Sequence, residues 1–381
     1  MPGKFLFVLL FSFLFNILQA QVTISGQVLN ASGNAPVSKA SVYINNSTIG
    51  TATAEDGTYT LTGVNPGVYE IIVSHVGFEV VAYKVEVKSA ALRLTFKLEP
   101  KVKQMRDILV VTPSQREKWM IVLKENFLGQ TIAADKSKIL NEEDIFFEKG
   151  QKKNIIKAFS EVPLIIENKE LGYRVYFELQ EFFYDAEQGR TLFYGFSRYE
   201  EMGDPDSEPS RKFRRNREKT YRGSTLHFYH SLLSDALAKE GFTTYITRPS
   251  DTTQNSKPNT FVNGNTVTVS AKTPQLAFAV SRNDILFKDS NDTTSFYLRW
   301  SGTLQVRYKY DPYYKESLKR KFFVAGDMPQ GFQSGIVMIE APAYLDPNGV
   351  LLNPLAVQFS GFWSYEKLAN MLPINYRPEK N

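Results

Sequence analysis

The sequence has no cysteine and only three histidines, His75, His227 and His230. Without thiols there is no disulfide framework, no thiolate nucleophile, no cysteine-ligated zinc or iron–sulfur cluster, and no lipid-modified cysteine to tether the chain to a membrane. Stability must then come from buried apolar surface, and an aromatic fraction of 13% supplies the bulk for it. Excess charge is also small. A net of +5 gives weak grounds for acidic partners and none for nucleic acid. The sequence lacks a Gly-x-Ser-x-Gly elbow, a His-Glu-x-x-His pair and a phosphate-binding loop, and no cofactor is expected.

Long apolar runs are missing except at the start. MPGKFLFVLLFSFLFNILQA has one basic residue, Lys4, an apolar run from Phe5 to Leu18, and small Ala20. This is the pattern of a secretory signal peptide cleaved near Ala20, which leads us to expect export to the periplasm or outer membrane. A membrane anchor competes with that reading, but the run is shorter than the ~20 apolar residues of a span.

Residues 21–99 read as short strands separated by turn residues: VTISGQVLN, ASVYIN, GTYTLTG, VYEIIVS, EVVAYKVEV and LRLTFKLE. β-Branched and aromatic residues fill the strands, while Gly, Asn, Asp and Pro fill the joins. Six or seven strands without a helical period predict a β-sandwich. Asp56-Gly57 and Pro66-Gly67 are turn pairs, each followed two residues on by an aromatic, Tyr59 and Tyr69, placed to close an end of the sandwich. With Gly26, Val28, Gly33, Pro36, Ala40, Gly50, Gly77 and Phe78, these motifs resemble the carboxypeptidase regulatory-like domain. That resemblance implies an Ig/transthyretin-like sandwich, found also in front of TonB-dependent receptors, and an appendage without catalytic residues in the zinc carboxypeptidases. His75 and Glu79 do not form the His-x-x-Glu zinc pattern and are read as structural. The remainder is too short for a receptor's plug and barrel, so a receptor is not expected.

Residues 100–113 read as a linker, ending in strand-like ILVVTP. Ser114 could cap a helix over REKWMIVLKENFLG that Gly129 would stop. Beyond it, residues 114–381 return to strand patterns and predict an antiparallel β-rich α+β domain, making the whole chain mainly β with a few helices. FFEKGQKKNIIKAFS reads as a hairpin turning at Lys149-Gly150. PLIIENKELGYRVYFELQEFFYD, TLFYGFSRY, NTVTVSA, QLAFAV and DILFKD read as strands. SFYLRWSGTLQVRYKYD alternates so cleanly that one long strand is expected, with Phe296, Leu298, Trp300, Leu304, Val306, Tyr308 and Tyr310 on its buried face. A stave of a transmembrane barrel would alternate similarly. The interrupting helices and the ending INYRPEKN favour a sheet with helices against it. This region is also similar to secreted envelope proteins described as carboxypeptidase-like regulatory domain-containing, in PLIIENKELGYRVYFEL, NREKTYRGSTLHFYHSL and SGFWSYEKLANMLPINYRP. That similarity implies no activity.

Two segments could carry a site. In TLHFYHSLLSDALAKEGF, Ser224 could cap a helix ending at Gly241, with Leu226, Tyr229, Leu233 and Leu237 as its inward stripe and His230 placed where it could join them. His227 and His230 share a face at i,i+3 spacing, but zinc normally takes a third protein ligand. In the similar proteins the second position is often Arg, which cannot ligate a metal. Before this helix, RKFRRNREKTYR gathers Arg211, Lys212, Arg214, Arg215, Arg217, Lys219 and Arg222, preceded by acidic EEMGDPDSEP. Guanidinium groups bind phosphate and carboxylate bidentately, so an anionic-ligand site is one reading. A solvated surface paired with the acidic loop is the other. Two Asp-Thr-Thr triplets, at 251–253 and 292–294, resemble O-glycosylation sites of exported bacterial proteins.

The sequence thus predicts a non-catalytic exported envelope protein. The sandwich would serve as an interaction or spacer module, the larger domain would bind an envelope protein or glycan, and outer-membrane association is possible. A hydrolase acting on envelope glycan or peptide through paired carboxylates of the larger domain is the alternative.

Overall fold

A computed structural model describes residues 21–101, 111–149, 154–187, 189–203, 211–249, 261–263, 265–267, 275–289, 295–310 and 332–378. The leader, most of the linker, the hairpin turn at Gly150 and both Asp-Thr-Thr triplets lie outside these residues. The chain divides into two compact units, Met1–Gln104 and Met105–Asn381.

The first unit is built from seven strands: β1 (Val22–Asn30), β2 (Ser41–Ile44), β3 (Gly50–Ala52), β4 (Thr58–Val64), β5 (Gly67–Ser74), β6 (Val81–Val87) and β7 (Leu92–Leu98). They form two sheets, ordered β4-β1-β7 and β3-β2-β5-β6. Alternation along β1 buries Val22, Ile24, Val28 and, with β4 supplying Tyr59 and Leu61, fills the space between the sheets with apolar side chains. Each such residue contributes ~1.5–3 kcal/mol when fully buried. β3, three residues long, left no pattern in the sequence.

The turn residues act as expected. Gly57 adopts φ 76°, and Asp56 accepts hydrogen bonds from the Thr58 amide and hydroxyl, which hold its carboxyl below the usual aspartate range. Tyr59 is buried and donates its hydroxyl to Leu94 O at 2.9 Å. The His75 ring lies edge-on to Phe78.

The second unit opens with helix α1 (Pro113–Phe127), capped by Thr112 rather than Ser114, because Pro113 occupies the first helical position, where a missing N–H costs nothing. A short α2 (Ile132–Asp135) follows, then β8 (Ser137–Ile139), β9 (Ile145–Lys149), β10 (Ile155–Ser160), β11 (Leu164–Asn168), β12 (Tyr173–Asp185) and β13 (Arg190–Glu201). β12 organises this antiparallel sheet. Its first half pairs with β11 and its second half with β10, while β13 runs along its other edge. The α1 residues Met120, Leu123 and Phe127 pack onto it in a first core, with Phe127 edge-on to Phe177 and Phe193.

Helices α3 (Arg211–Tyr221) and α4 (Thr225–Leu233) lead to β14 (Phe242–Pro249). The hairpin β15 (Phe261–Asn263) and β16 (Asn265–Val267) comes next, then β17 (Gln275–Ala279), α5 (Arg282–Ile285), β18 (Leu286–Lys288), β19 (Phe296–Leu298), β20 (Thr303–Tyr308), β21 (Phe332–Met338), β22 (Ala343–Leu345) and β23 (Val357–Gly361). A five-stranded antiparallel sheet, β17-β14-β20-β21-β23, and a small one, β18-β19-β22, enclose a second core with Phe228, Tyr229 and Leu232 of α4 and Trp363.

Three expectations are corrected here. SFYLRWSGTLQVRYKYD is two strands in two sheets, broken at Gly302 (φ 97°), where a Cβ would lie 2.5 Å from Thr247 O. Tyr310, expected inside, is 54% exposed. The helix begun by Ser224 ends at Leu233, since Asp235 turns left-handed at φ 55°. Its most buried residues are His227, Phe228, Tyr229, Ser231 and Leu232, while the expected inward residues Leu226, Leu233 and Leu237 pack half-buried against the two cores.

In the sandwich, β1 pairs in parallel with β7, with Gly26 opposite Leu94. A Cβ at Gly26 would sit 1.7 Å from Leu94 O. Gly26→Ala is therefore expected to destabilise the sandwich by roughly 3 kcal/mol or more, read as a lowered denaturant midpoint in the full chain.

Candidate functional site

RKFRRNREKTY, read from sequence as a basic approach to the next helix, is itself the helix α3. Arg, Lys and Glu are good helix formers, and no Gly or Pro interrupts them before Gly223. Gly223 adopts φ 82° and stops the helix. Its missing side chain makes room for Tyr308, whose ring a Cβ would meet at 2.6 Å. Ser224 then accepts from the His227 amide at 3.2 Å and starts α4, as expected.

The inner face of α3 buries Asn216, Arg217, Thr220 and Tyr221. Arg217 is 3% exposed. Its Nε donates to Leu171 O at 2.7 Å and its Nη2 to Gly172 O at 3.0 Å. Its Nη1 lies 3.3 Å from Glu201 Oε2, and the guanidinium stacks 3.7 Å over the ring centroid of Tyr173. Asn216 Nδ2 donates to Glu170 O at 3.0 Å. Arg217 has no face left for a ligand and leaves the predicted anion-binding set. Arg214 is half-buried, and Arg222 pairs with Glu218 one turn back. Arg211, Lys212, Arg215, Lys219 and Arg222 are exposed.

The two histidines are brought together, but as parts of a joint. Gly223 N donates to His227 Nδ1 at 3.0 Å, which fixes the proton on Nε2, where it faces Glu240 Oε2 at 3.2 Å. His230 Nε2 donates to Asn348 O at 2.9 Å, leaving Nδ1 to accept the Tyr221 hydroxyl at 3.0 Å. All four ring nitrogens are thereby engaged. Burial lowers the pKa of His227 against the opposing pull of Glu240. Burial, with nearby Arg377, pushes His230 down to about 4. Burial likewise raises Tyr221 to about 12. At neutral pH the joint is held by neutral imidazoles and a phenol. Among the described residues no group of three His, Asp or Glu side chains could hold a metal ion.

The buried carboxylates each have separate partners. Glu170, 2% exposed, receives Lys136 Nζ at 2.6 Å. Asp185 accepts from Asn154 Nδ2 and the Glu187 amide. Asp346 accepts from the amides of Asn348 and Val350. All three fasten loops. Tyr221, Glu240 and the β11–β12 turn were not foreseen as partners of the basic and histidine segments. The β11–β12 turn is some 45 residues from Arg217 in sequence, whereas Tyr221 and Glu240 are near the histidines but carry no motif that marks them as partners.

No curated protein matches the chain. Residues 24–110 match the CarboxypepD_reg-like domain and carry that domain. Among solved structures, the group B streptococcus pilus 2b backbone protein is 16% identical, with 22% of this chain and 42% of that chain covered, at a TM-score of 0.20. A cohesin–X-dockerin complex from Acetivibrio cellulolyticus is 22% identical, with 20% and 52% covered, at 0.18. A DUF3823 family protein from Parabacteroides merdae is 8% identical, with 76% and 90% covered, at 0.17. The chain covers less than two thirds of the first two.

His230 binds its proton more weakly folded than unfolded, so its contribution to stability is full above about pH 6.5 and is lost as pH falls toward about 4. Wild-type stability in urea should fall by on the order of 2 kcal/mol from this group between pH 7 and pH 5, with His227 adding in the same direction. His230→Gln should flatten that part of the slope. The double His227→Gln/His230→Gln variant should lose stability at pH 7 without any change in bound metal by elemental analysis.

Replacing Arg217 by Met should cost about 3 kcal/mol or more, because Leu171 O and Gly172 O lose their donors and Glu201 its partner. Equilibrium unfolding at pH 7 checks this, and an unchanged midpoint would show that water substitutes for the guanidinium.

Proposed function

We propose that the chain is a non-catalytic, exported binding protein of the cell envelope, in which the carboxypeptidase regulatory-like domain is an interaction or spacer module and the larger unit binds a protein or glycan. One observation carries this reading. The buried face of α3 holds the fold through Asn216 and Arg217, while four cations on its other face, Arg211, Lys212, Arg215 and Lys219, and Arg222 just past its end are exposed to solvent. Such a surface offers Coulombic and bidentate contacts to an anionic partner and nothing that would move a proton or attack a bond. The imidazoles next to it are consumed by partners within the chain, and the buried carboxylates are bound to amides and an ammonium group. The leader-like residues 1–20 support the location, and the family match over residues 24–110 supports the role of the first unit.

The test is co-sedimentation of the purified full chain with isolated cell envelopes, with mass spectrometry of the supernatant over time. Saturable binding that weakens as salt rises, with no soluble fragments released, is the expected outcome. Fragments that accumulate with time would replace this reading with the hydrolase.

A further inference from the structure

We infer that the exposed face of α3 is a docking track for a linear, carboxylated or sulfated polysaccharide. This rests on the binding role proposed above and names the partner of that surface.

The first ground is where the charge lies. The twelve residues from Arg211 to Arg222 hold seven cationic side chains and one carboxylate, Glu218, a net of +6 against +5 for the whole chain. Five of the seven cations are exposed, whereas Arg217 is buried against Glu201, so this short segment presents a dense positive surface.

The second ground is geometry. Arg211, Arg215, Lys219 and Arg222 follow one another at i, i+4, i+8 and i+11 and are all exposed. Along α3, Arg211, Arg215 and Lys219 form a single row with about one cation per turn and Lys212 beside it, and Arg222 continues the row in the turn after Tyr221. A row one side chain wide matches a polyanion lying lengthwise better than a broad charged surface.

The third ground is preorganisation. Arg217 and Asn216 clamp the helix to the carbonyls of Glu170, Leu171 and Gly172. Gly172 lies directly against Phe213, where a Cβ would come within 2.3 Å of the ring. The backbone carrying the row is therefore already fixed, and binding orders only side-chain tips. A stiff sugar chain with charges at regular intervals likewise loses less freedom than a flexible acidic peptide.

The fourth ground separates the track from a membrane-binding helix. Helices that lie in a lipid interface bring large apolar residues to the same surface. The exposed large apolar residues of this protein include none from Arg211 to Arg222, and the apolar residues of α3, Phe213 and Tyr221, are withdrawn from the cationic row, Tyr221 into the first core.

The experiment measures binding of the full chain to polygalacturonate oligomers, neutral dextran, phosphatidylglycerol vesicles and polyglutamate at several salt concentrations. It is repeated with the variant Arg211→Gln/Arg215→Gln/Lys219→Gln/Arg222→Gln. These side chains are exposed and Arg217 is untouched, so the variant should keep the wild-type unfolding midpoint at pH 7. Polygalacturonate should bind most tightly, and dextran should not bind. Affinity should fall steeply with salt, and the variant should lose roughly 30-fold or more at low salt, with a shallower salt slope. Equal affinity in the variant, or tighter binding to vesicles or polyglutamate, would overturn the inference. If the variant still co-sediments with envelopes as the wild type does, this track fails while the binding role stands. If the wild type does not co-sediment at all, the role itself fails.

Discussion

The second unit is organised around one buried guanidinium. Arg217 closes the β11–β12 turn by donating to two successive carbonyls, stacks on Tyr173 at the start of β12, and meets Glu201 at the end of β13. Those three points are where the longest strands of the first sheet begin, turn and finish. A buried cation is costly to desolvate unless its donors are used, and here two backbone oxygens, a carboxylate and an aromatic face use them. The same turn is tied from below. Asn168 accepts the amides of Glu170 and Leu171 and donates to Ala369 O, which brings the C-terminal segment to it. Removing Arg217 leaves the carbonyls of Leu171 and Gly172 without their donors, and removing Asn168 leaves the amides of Glu170 and Leu171 without their acceptor, so the turn, α3 and the chain end are specified together.

From that anchor the chain passes to the second core through a tight elbow. Gly223 is its pivot. Its amide is held by His227 and its carbonyl accepts Trp363 Nε1 at 2.9 Å, so both polar groups of a backbone-only residue are matched by side chains from different elements. Tyr221 belongs to the first core, whereas Phe228, Tyr229, Leu232 and Trp363 belong to the second. The histidines sit between them: His227 lies tilted against the Tyr221 ring and edge-on to Phe242, and His230 lies tilted against Tyr221. Imidazole suits such a joint because, in one tautomer, it donates at one nitrogen and accepts at the other. Both rings are used in that way.

The sandwich was legible in the sequence because its determinants are local: alternation within strands and Gly or Pro at turns, as in Asp56-Gly57 and Pro66-Gly67. The β9–β10 hairpin of the first large sheet was legible for the same reason. What misled were cases in which tertiary contacts overrode an unbroken local pattern. Alternation from Phe296 to Tyr310 continues through Ser301-Gly302 because the residues on both sides bury the same face, although the two halves join different sheets. The helix after Ser224 ends early because Asp235 adopts a left-handed conformation, which Asp tolerates and sequence does not reveal. The basic segment was visible as charge. Its division into a buried and an exposed side was not, since Arg217 looks like its neighbours until the carbonyls of Leu171 and Gly172 are placed opposite it.

That division explains why so basic a segment can be both a structural element and a surface. On a helix, residues 217 and 215 lie about 200° apart, so one can be dried against the β11–β12 turn while the other remains in water. Burying Arg217 fixes the rotation of the helix about its axis. With the rotation fixed, the direction of every other cation on α3 is fixed too: Arg211, Arg215 and Lys219 must point away from the sheet because Asn216, Arg217 and Thr220 point into it. The outward row is a consequence of the inward clamp, and its geometry is as well defined as the core on which it rests.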